Sequence, residues 1–173
     1  MTSYYNINNS LVKYGIKGEI IAKFYIEYAK EEKFINFNNN DEYDVLTNKF
    51  KYEVKTDSNY IKYNKSVFVE FESNNKESGI NTSKADFYIF VCPNNENFEI
   101  IKIFEINTIN LKEIIQELEN NNLLVIKYAP CKDYYNNTYN KNKGYIIKEE
   151  DLLKYCSSYE IILNNFEQLK NIL

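Results

Sequence analysis

Asp44, Glu53 and Lys55 stand in the order Asp-x8-Glu-x-Lys, with only Val54 between the last two. On a strand, residues two apart point to the same face, so Glu53 and Lys55 project side by side while Val54 turns into the core. Asp44, near the start of a partner strand, reaches the same spot. Two converging carboxylates beside a lysine are what a magnesium site for phosphodiester chemistry requires. That cation takes oxygen ligands, keeps several waters, and binds through one or two carboxylates together with substrate phosphate. It can deliver hydroxide and neutralise charge on the phosphorane, while Lys55 orients the attacking water or stabilises negative charge. The bland alternative is a solvated hairpin, with Lys55 an exposed cross-strand partner contributing under about 1 kcal/mol.

Composition removes many competing chemistries. The 173 residues contain no histidine, and all 21 basic residues are lysine, so arginine is absent as well. No Ser-His-Asp or Cys-His arrangement, His-ligated zinc site or arginine finger can be built. Cys92, Cys131 and Cys156 are far apart and odd in number, which argues against a disulfide framework or zinc knuckle and for a reducing compartment. No run approaches about 18 apolar residues and no signal segment opens the chain, so a soluble, intracellular protein without a membrane partner is expected. Asparagine, lysine, isoleucine and tyrosine are inflated together, the mark of an A+T-rich gene, so asparagine runs read as loops. The net charge of -4 argues mildly against a nucleic-acid coat protein. Between 45 and 84, however, lysines 49, 51, 55, 62, 65, 76 and 84 outnumber acids 53, 57, 70, 72 and 77, and a bound cation would make the stretch clearly electropositive.

The elements that must position these residues follow from periodicity. Ile21, Phe24, Tyr25, Tyr28 and Ala29 have helical spacing, predicting a helix over 18–33 with Glu19 in its first turn, where the helix dipole favours an acid. Segments 43–47 and 50–56, joined at Asn48-Lys49, predict a hairpin with one apolar and one charged face. Strands are expected at 66–73, 85–92, 98–106 and 123–128, with a helix over 107–120. The polar stretch 132–143 reads as a loop, 144–148 as a short strand and 149–172 as one helix or two. Together they describe a single α/β domain over 1–173, a mixed central sheet flanked by helices, completed by 107–173.

Glu19 on the leading helix, Asp44, and Glu53-Val54-Lys55 on the hairpin resemble the PD-(D/E)XK nuclease superfamily, over roughly 15–92. Phe68-Val69-Glu70-Phe71-Glu72, Ser78-Gly79-Ile80 and Thr82-Ser83-Lys84-Ala85-Asp86-Phe87-Tyr88 also look like members of it, although Tyr43 precedes Asp44 where the family name has proline. The resemblance implies a restriction endonuclease-like fold and a Mg²⁺- or Mn²⁺-dependent nuclease, acting on DNA in preference to RNA. By that likeness Asp44 and Glu53 hold the metal, with the Val54 carbonyl and Glu19 as further ligands, and Lys55 activates the nucleophile. Lys49, Lys51, Lys62, Lys65, Lys76, Ser83 and Lys84 are the candidate phosphate contacts. Glu70 is either a solvated strand acid or a carboxylate supporting the site. Without arginine, bidentate readout of guanine by that side chain is absent, which favours recognition of backbone, ends or branched structure. The alternatives are a homodimer that resolves Holliday junctions and a non-catalytic nuclease-fold protein that binds nucleic acid or assembles with partners. Tyr60, Tyr63, Tyr134, Tyr135 and Tyr139 read as ordinary surface tyrosines, and Asp57 as a turn residue.

Overall fold

The structure, a computed structural model, describes residues 10–38, 42–95, 97–133 and 138–165. In chain order the elements are α1 (Ser10–Ala29), β1 (Phe34–Phe37), β2 (Val45–Thr47), β3 (Lys51–Thr56), β4 (Ser66–Ser73), β5 (Lys76–Glu77), β6 (Phe87–Pro93), β7 (Ile100–Asn107), α2 (Thr108–Asn120), β8 (Val125–Asp133), β9 (Thr138–Lys148), α3 (Glu149–Leu152) and β10 (Ser158–Ile162), with a 3-10 turn at Gly79–Asn81.

The strands divide into a six-stranded mixed sheet, β1-β2-β3-β6-β7-β10, and a four-stranded antiparallel sheet, β5-β4-β9-β8. Within the first sheet only β3 and β6 run parallel, with Glu53 beside Tyr88 and Lys55 beside Phe90. The apolar run of β6 is covered on both faces, as a continuous hydrophobic strand requires. Ile89 and Val91 turn to one side, where they meet Ile21, Ala22, Tyr25 and Ile26 of α1. Tyr88, Phe90 and Cys92 turn to the other, against Val67 and Val69 of β4, Ile147 of β9, and Leu111, Ile114 and Leu118 of α2. The six-stranded sheet is therefore the middle layer, with α1 on one face and α2 plus the second sheet on the other. Each fully buried aliphatic side chain contributes about 1.5–3 kcal/mol, so these two cores dominate the stability.

Several expectations need correction. The helix begins at Ser10, so Glu19 lies in its middle and not in its first turn. The dipole effect fades within the first turn, which removes that explanation for an acid at this position. Segment 34–37, expected as loop beside an asparagine run, is the edge strand β1, paired to β2. Ser66–Ser73 belongs to the second sheet and not to the central one. Most of 132–143 is the end of β8 and the start of β9, where a run of lysine, asparagine and tyrosine holds no apolar alternation to read. Of the expected C-terminal helix the described residues contain only the single turn α3; Ser158–Ile162 forms β10 against β7. Residues 134–137 and 166–173, with Tyr134, Tyr135 and the end of that helix assignment, lie outside the described residues.

Asp57 is the turn residue expected, accepting the Asn59 and Phe68 backbone N–H groups at 3.0 Å each and so tying the end of β3 to β4. A second polar tie joins α3 to β7. The Glu149 carboxylate, 14% exposed, takes the Lys102 ammonium and the hydroxyl of buried Tyr60. Burial alone would raise the Glu149 pKa, but the Lys102 and Tyr60 hydrogen bonds and the Lys102 charge outweigh it and hold the group below its ordinary value. A depressed carboxylate stabilises the fold above its unfolded pKa and loses that contribution as pH falls through the folded one. Glu149→Gln is therefore expected to cost about 2 kcal/mol at pH 7 in a denaturant melt, with the gap to wild type narrowing below about pH 4.

Candidate active site

The site forms where β2 stops and β3 continues. The last β2–β3 pair is Val45 with Tyr52, followed by the Asp44 N–H donating to the Tyr52 carbonyl at 2.9 Å. At the next position Asp44 offers its carboxylate in place of a backbone acceptor, and the Val54 N–H donates to Asp44 Oδ2 at 2.6 Å. In an antiparallel ladder a residue's N–H and C=O face the same neighbour, so the Val54 carbonyl faces this opening too. Val54 itself is buried against α1, as expected from the alternation.

Glu53 and Lys55 project from the opposite face of β3, and their side chains meet: Lys55 Nζ lies 2.6 Å from Glu53 Oε1. The expected charged, solvated face is only half correct. The Glu53 side chain is 9% exposed, against 36% for Lys55, so the carboxylate is walled in and the ammonium looks out. Glu53 Oε2 accepts from the Ser83 hydroxyl at 3.3 Å, and Ser83 Oγ also lies 3.3 Å from the Glu42 carbonyl. Burial would lower the Lys55 pKa, but Glu53 and Asp44 beside it raise it above the ordinary lysine value. Lys55 is therefore a fixed positive charge near neutral pH.

Glu19 enters from α1. Burial raises its pKa to about 7, with the Asp44 charge adding to the rise and Lys55 opposing it. Asp44 is pushed up to about 6, chiefly by burial, with Glu53 reinforcing and Lys55 and the Val54 N–H opposing. The helix approaches β3 closely because residue 18 is glycine: a Cβ there would lie 1.7 Å from Thr56 Oγ1 and 3.0 Å from Thr56 Cβ. The structure thus brings Glu19, Asp44, Glu53 and Lys55 into one electrostatically coupled group, with Ser83 joining through Glu53.

Comparison with protein-family models, curated proteins and solved structures finds no match. The chemistry of the site rests on its geometry alone.

The donors are all oxygen: two carboxylates, a backbone carbonyl and a third carboxylate from α1. Among the described residues no group of three or more His, Cys, Asp or Glu side chains is placed to hold a metal ion, so Asp44 and Glu53 are the pair to consider, with Glu19 further off. The set fits a hard divalent cation that keeps much of its water shell, which needs one or two carboxylates and no cage. Mutual crowding of Asp44 and Glu19 is what such a cation would relieve.

Other predicted site residues lie elsewhere. The Glu70 carboxylate is held in the second sheet by the Ser78 hydroxyl and by Asn142 Nδ2, the latter at 2.6 Å. Lys84 pairs with Glu42, and Lys51 lies 5.3 Å from the centre of the Tyr43 ring. Lys49 sits in the β2–β3 turn, Lys62 and Lys65 in the turn between β3 and β4, and Lys76 on β5. Of these lysines only Lys51 and Lys76 lie on strands, one in each sheet, and the others are in turns and loops. The groove lined by Ile80, Lys112, Ile115, Glu119 and Tyr145 includes none of the four central residues. Tyr88 closes the Thr82–Tyr88 segment that carries the resemblance, but the sequence alone assigns it no role at the site; the structure sets it there, 1% exposed and beside Glu53 in register. The parallel β3–β6 pairing responsible leaves no local signal.

The raised Glu19 carboxyl has a consequence for stability. Its folded pKa of about 7 lies above its ordinary value of 4.5, so folding disfavours the charged form. The resulting penalty is absent below the unfolded pKa and complete above the folded one. Metal-free Glu19→Gln is expected to melt several degrees above wild type at pH 8 and level with it at pH 4, followed by circular dichroism in EDTA.

Proposed function

We propose that this chain is a Mg²⁺- or Mn²⁺-dependent nuclease of the PD-(D/E)XK kind, hydrolysing phosphodiester bonds in DNA. One observation carries the reading: Asp44, Glu53 and the ammonium of Lys55 stand together at the open end of β2, with Glu19 brought up by α1. Asp44 and Glu53 would hold the cation, with the Val54 carbonyl and Glu19 as further oxygen donors. When bound, the cation supplies Lewis acidity and a water of lowered pKa.

The protein's own part is positional and electrostatic. The Val54 N–H fixes one Asp44 oxygen and leaves the other for the site. Lys55 and Ser83 hold the two oxygens of Glu53, which orients that carboxylate from both sides. Lys55, protonated and partly exposed, stabilises negative charge developing on the phosphate and does not take a proton. With no arginine in the chain, recognition rests on lysine and backbone contacts to phosphate, which position a nucleic acid without reading its bases.

Incubation with supercoiled plasmid, single-stranded DNA, RNA and a four-way junction, each with Mg²⁺, Mn²⁺ or EDTA, tests the reading. Metal-dependent DNA cleavage, lost in Asp44→Ala, is the expected result. RNA cleavage alone would reassign the substrate. Binding without cleavage of any of the four would reassign the chain as a nuclease-fold binding protein.

A further inference from the structure

Among the described residues three tyrosines are buried to 2% exposure or less: Tyr52, Tyr60 and Tyr88. Tyr52 donates to Glu32 at 3.0 Å and Tyr60 to Glu149, so two of the three hydroxyls have carboxylate partners. Tyr88 does not. The Ser83 hydroxyl lies against it, but the buried Tyr88 hydroxyl itself donates to no acceptor among the described residues. Buried phenolic hydroxyls are normally satisfied, and one left unpaired is destabilising. Packing gives no reason for the oxygen, because Phe90 fills the equivalent place two residues along on the same face of β6.

The surroundings supply a reason. Tyr88 is the register partner of Glu53, and Glu53, Lys55 and Asp44 all act on its hydroxyl electrostatically. Both Glu53 oxygens are already engaged, by Lys55 and by Ser83. Neither oxygen accepts from Tyr88, whose hydroxyl is left without an acceptor among the described residues beside the carboxylate. We propose that Ser83 and Tyr88 are positioning residues of the carboxylate site: Ser83 sets the Glu53 carboxylate, and the Tyr88 hydroxyl is held for a water or other oxygen brought in with a divalent cation. This rests on the cation-binding half of the function proposed above, deepens the part given there to Ser83 and adds Tyr88 to it. At 1% exposure Tyr88 acts through that oxygen and through Glu53, without touching the substrate.

Tyr88→Phe, Ser83→Ala and Ser83→Thr test the proposal with Mn²⁺ as the probe, through thermal melts in EDTA and across a Mn²⁺ titration. Tyr88→Phe is expected to melt at or above wild type in EDTA, since it removes only an unpaired hydroxyl. Its Mn²⁺ midpoint should rise about tenfold or more, as should that of Ser83→Ala, with Ser83→Thr restoring most of the loss. A fall of several degrees for Tyr88→Phe in EDTA would show a structural partner for the hydroxyl and overturn the proposal. So would unchanged Mn²⁺ midpoints in Tyr88→Phe and Ser83→Ala, or a wild type that does not respond to Mn²⁺. A wild type that responds to Mn²⁺ as expected yet cleaves no nucleic acid would overturn the nuclease reading and leave the positioning of the cation intact.

Discussion

Lys55→Ala is expected to lower metal-dependent cleavage by about a hundredfold or more, the cost of removing one preorganised charge from a developing phosphorane. The loss should fall on the rate of a single turnover and not on nucleic-acid binding, because one lysine among 21 contributes little to phosphate affinity. The same substitution carries a stability cost that separates it from Asp44→Ala. Lys55 is the positive charge opposing Glu53, Asp44 and Glu19 at once, so its removal strips these carboxylates of the cation that offsets them. Loss of a charge-assisted partner costs about 1–3 kcal/mol, and the metal-free variant should melt several degrees below wild type. Asp44→Ala instead removes one of the crowded carboxylates while leaving the Val54 N–H without its acceptor, two effects of opposite sign. Activity lost in both variants, with stability lowered mainly in Lys55→Ala, would place Lys55 as the electrostatic centre. Equal cleavage by Lys55→Ala and wild type would remove the lysine from the chemistry.

Gly18→Ala should show the second large effect, and its sign is not the one helix propensity gives. Alanine in a helix interior is favoured over glycine by about 1 kcal/mol. Here its Cβ meets Thr56 Oγ1 at 1.7 Å and Thr56 Cβ at 3.0 Å, and threonine is stiff at χ1. Either the helix retreats from β3 or the strand end shifts, and overpacking of this kind costs about 1–3 kcal/mol. Both responses move Glu19, the next residue, away from Asp44. Gly18→Ala is therefore expected to lower the melting temperature and to reduce cleavage together. The double variant Gly18→Ala, Thr56→Ala should recover much of both, since the nearest overlap is with the threonine hydroxyl. Failure of the second substitution to restore either property would show that the close approach of α1 does not set the site.

Much of this architecture was legible from periodicity where burial is one-sided. Val67, Val69 and Phe71 alternate cleanly, and Ser66–Ser73 matches its expected span. The stripe Leu111, Ile114, Leu118 marked α2, and Asn107 caps it by accepting the Ile109 N–H at 2.8 Å. The hairpin carrying Asp44, Glu53 and Lys55 was readable because Tyr52 and Val54 point inward between charged residues. What escaped detection lacked that contrast. β8 and the start of β9 have little apolar contrast to read, with Ile126 and Tyr128 both exposed, and β10 is short, with only Ile161 fully buried. The division into two sheets is a matter of long-range pairing, β4 with β9 from Ser66 paired with Lys148 to Ser73 paired with Asn142, for which the local sequence holds no sign. At the site, residue types and order were visible, but the burial of Glu53, the grip of Ser83 on it and the presence of Tyr88 depend on the parallel β3–β6 register.

Asp44 and Glu53 are expected to hold a divalent cation that works on a phosphodiester bond. A time course of supercoiled plasmid with Mn²⁺, run beside an EDTA control and beside Asp44→Ala, addresses this most directly. Conversion to nicked or linear DNA by wild type with Mn²⁺, and by neither control, is the result predicted. Plasmid left supercoiled by folded wild type at saturating Mn²⁺, or cleaved equally well by Asp44→Ala, would contradict it.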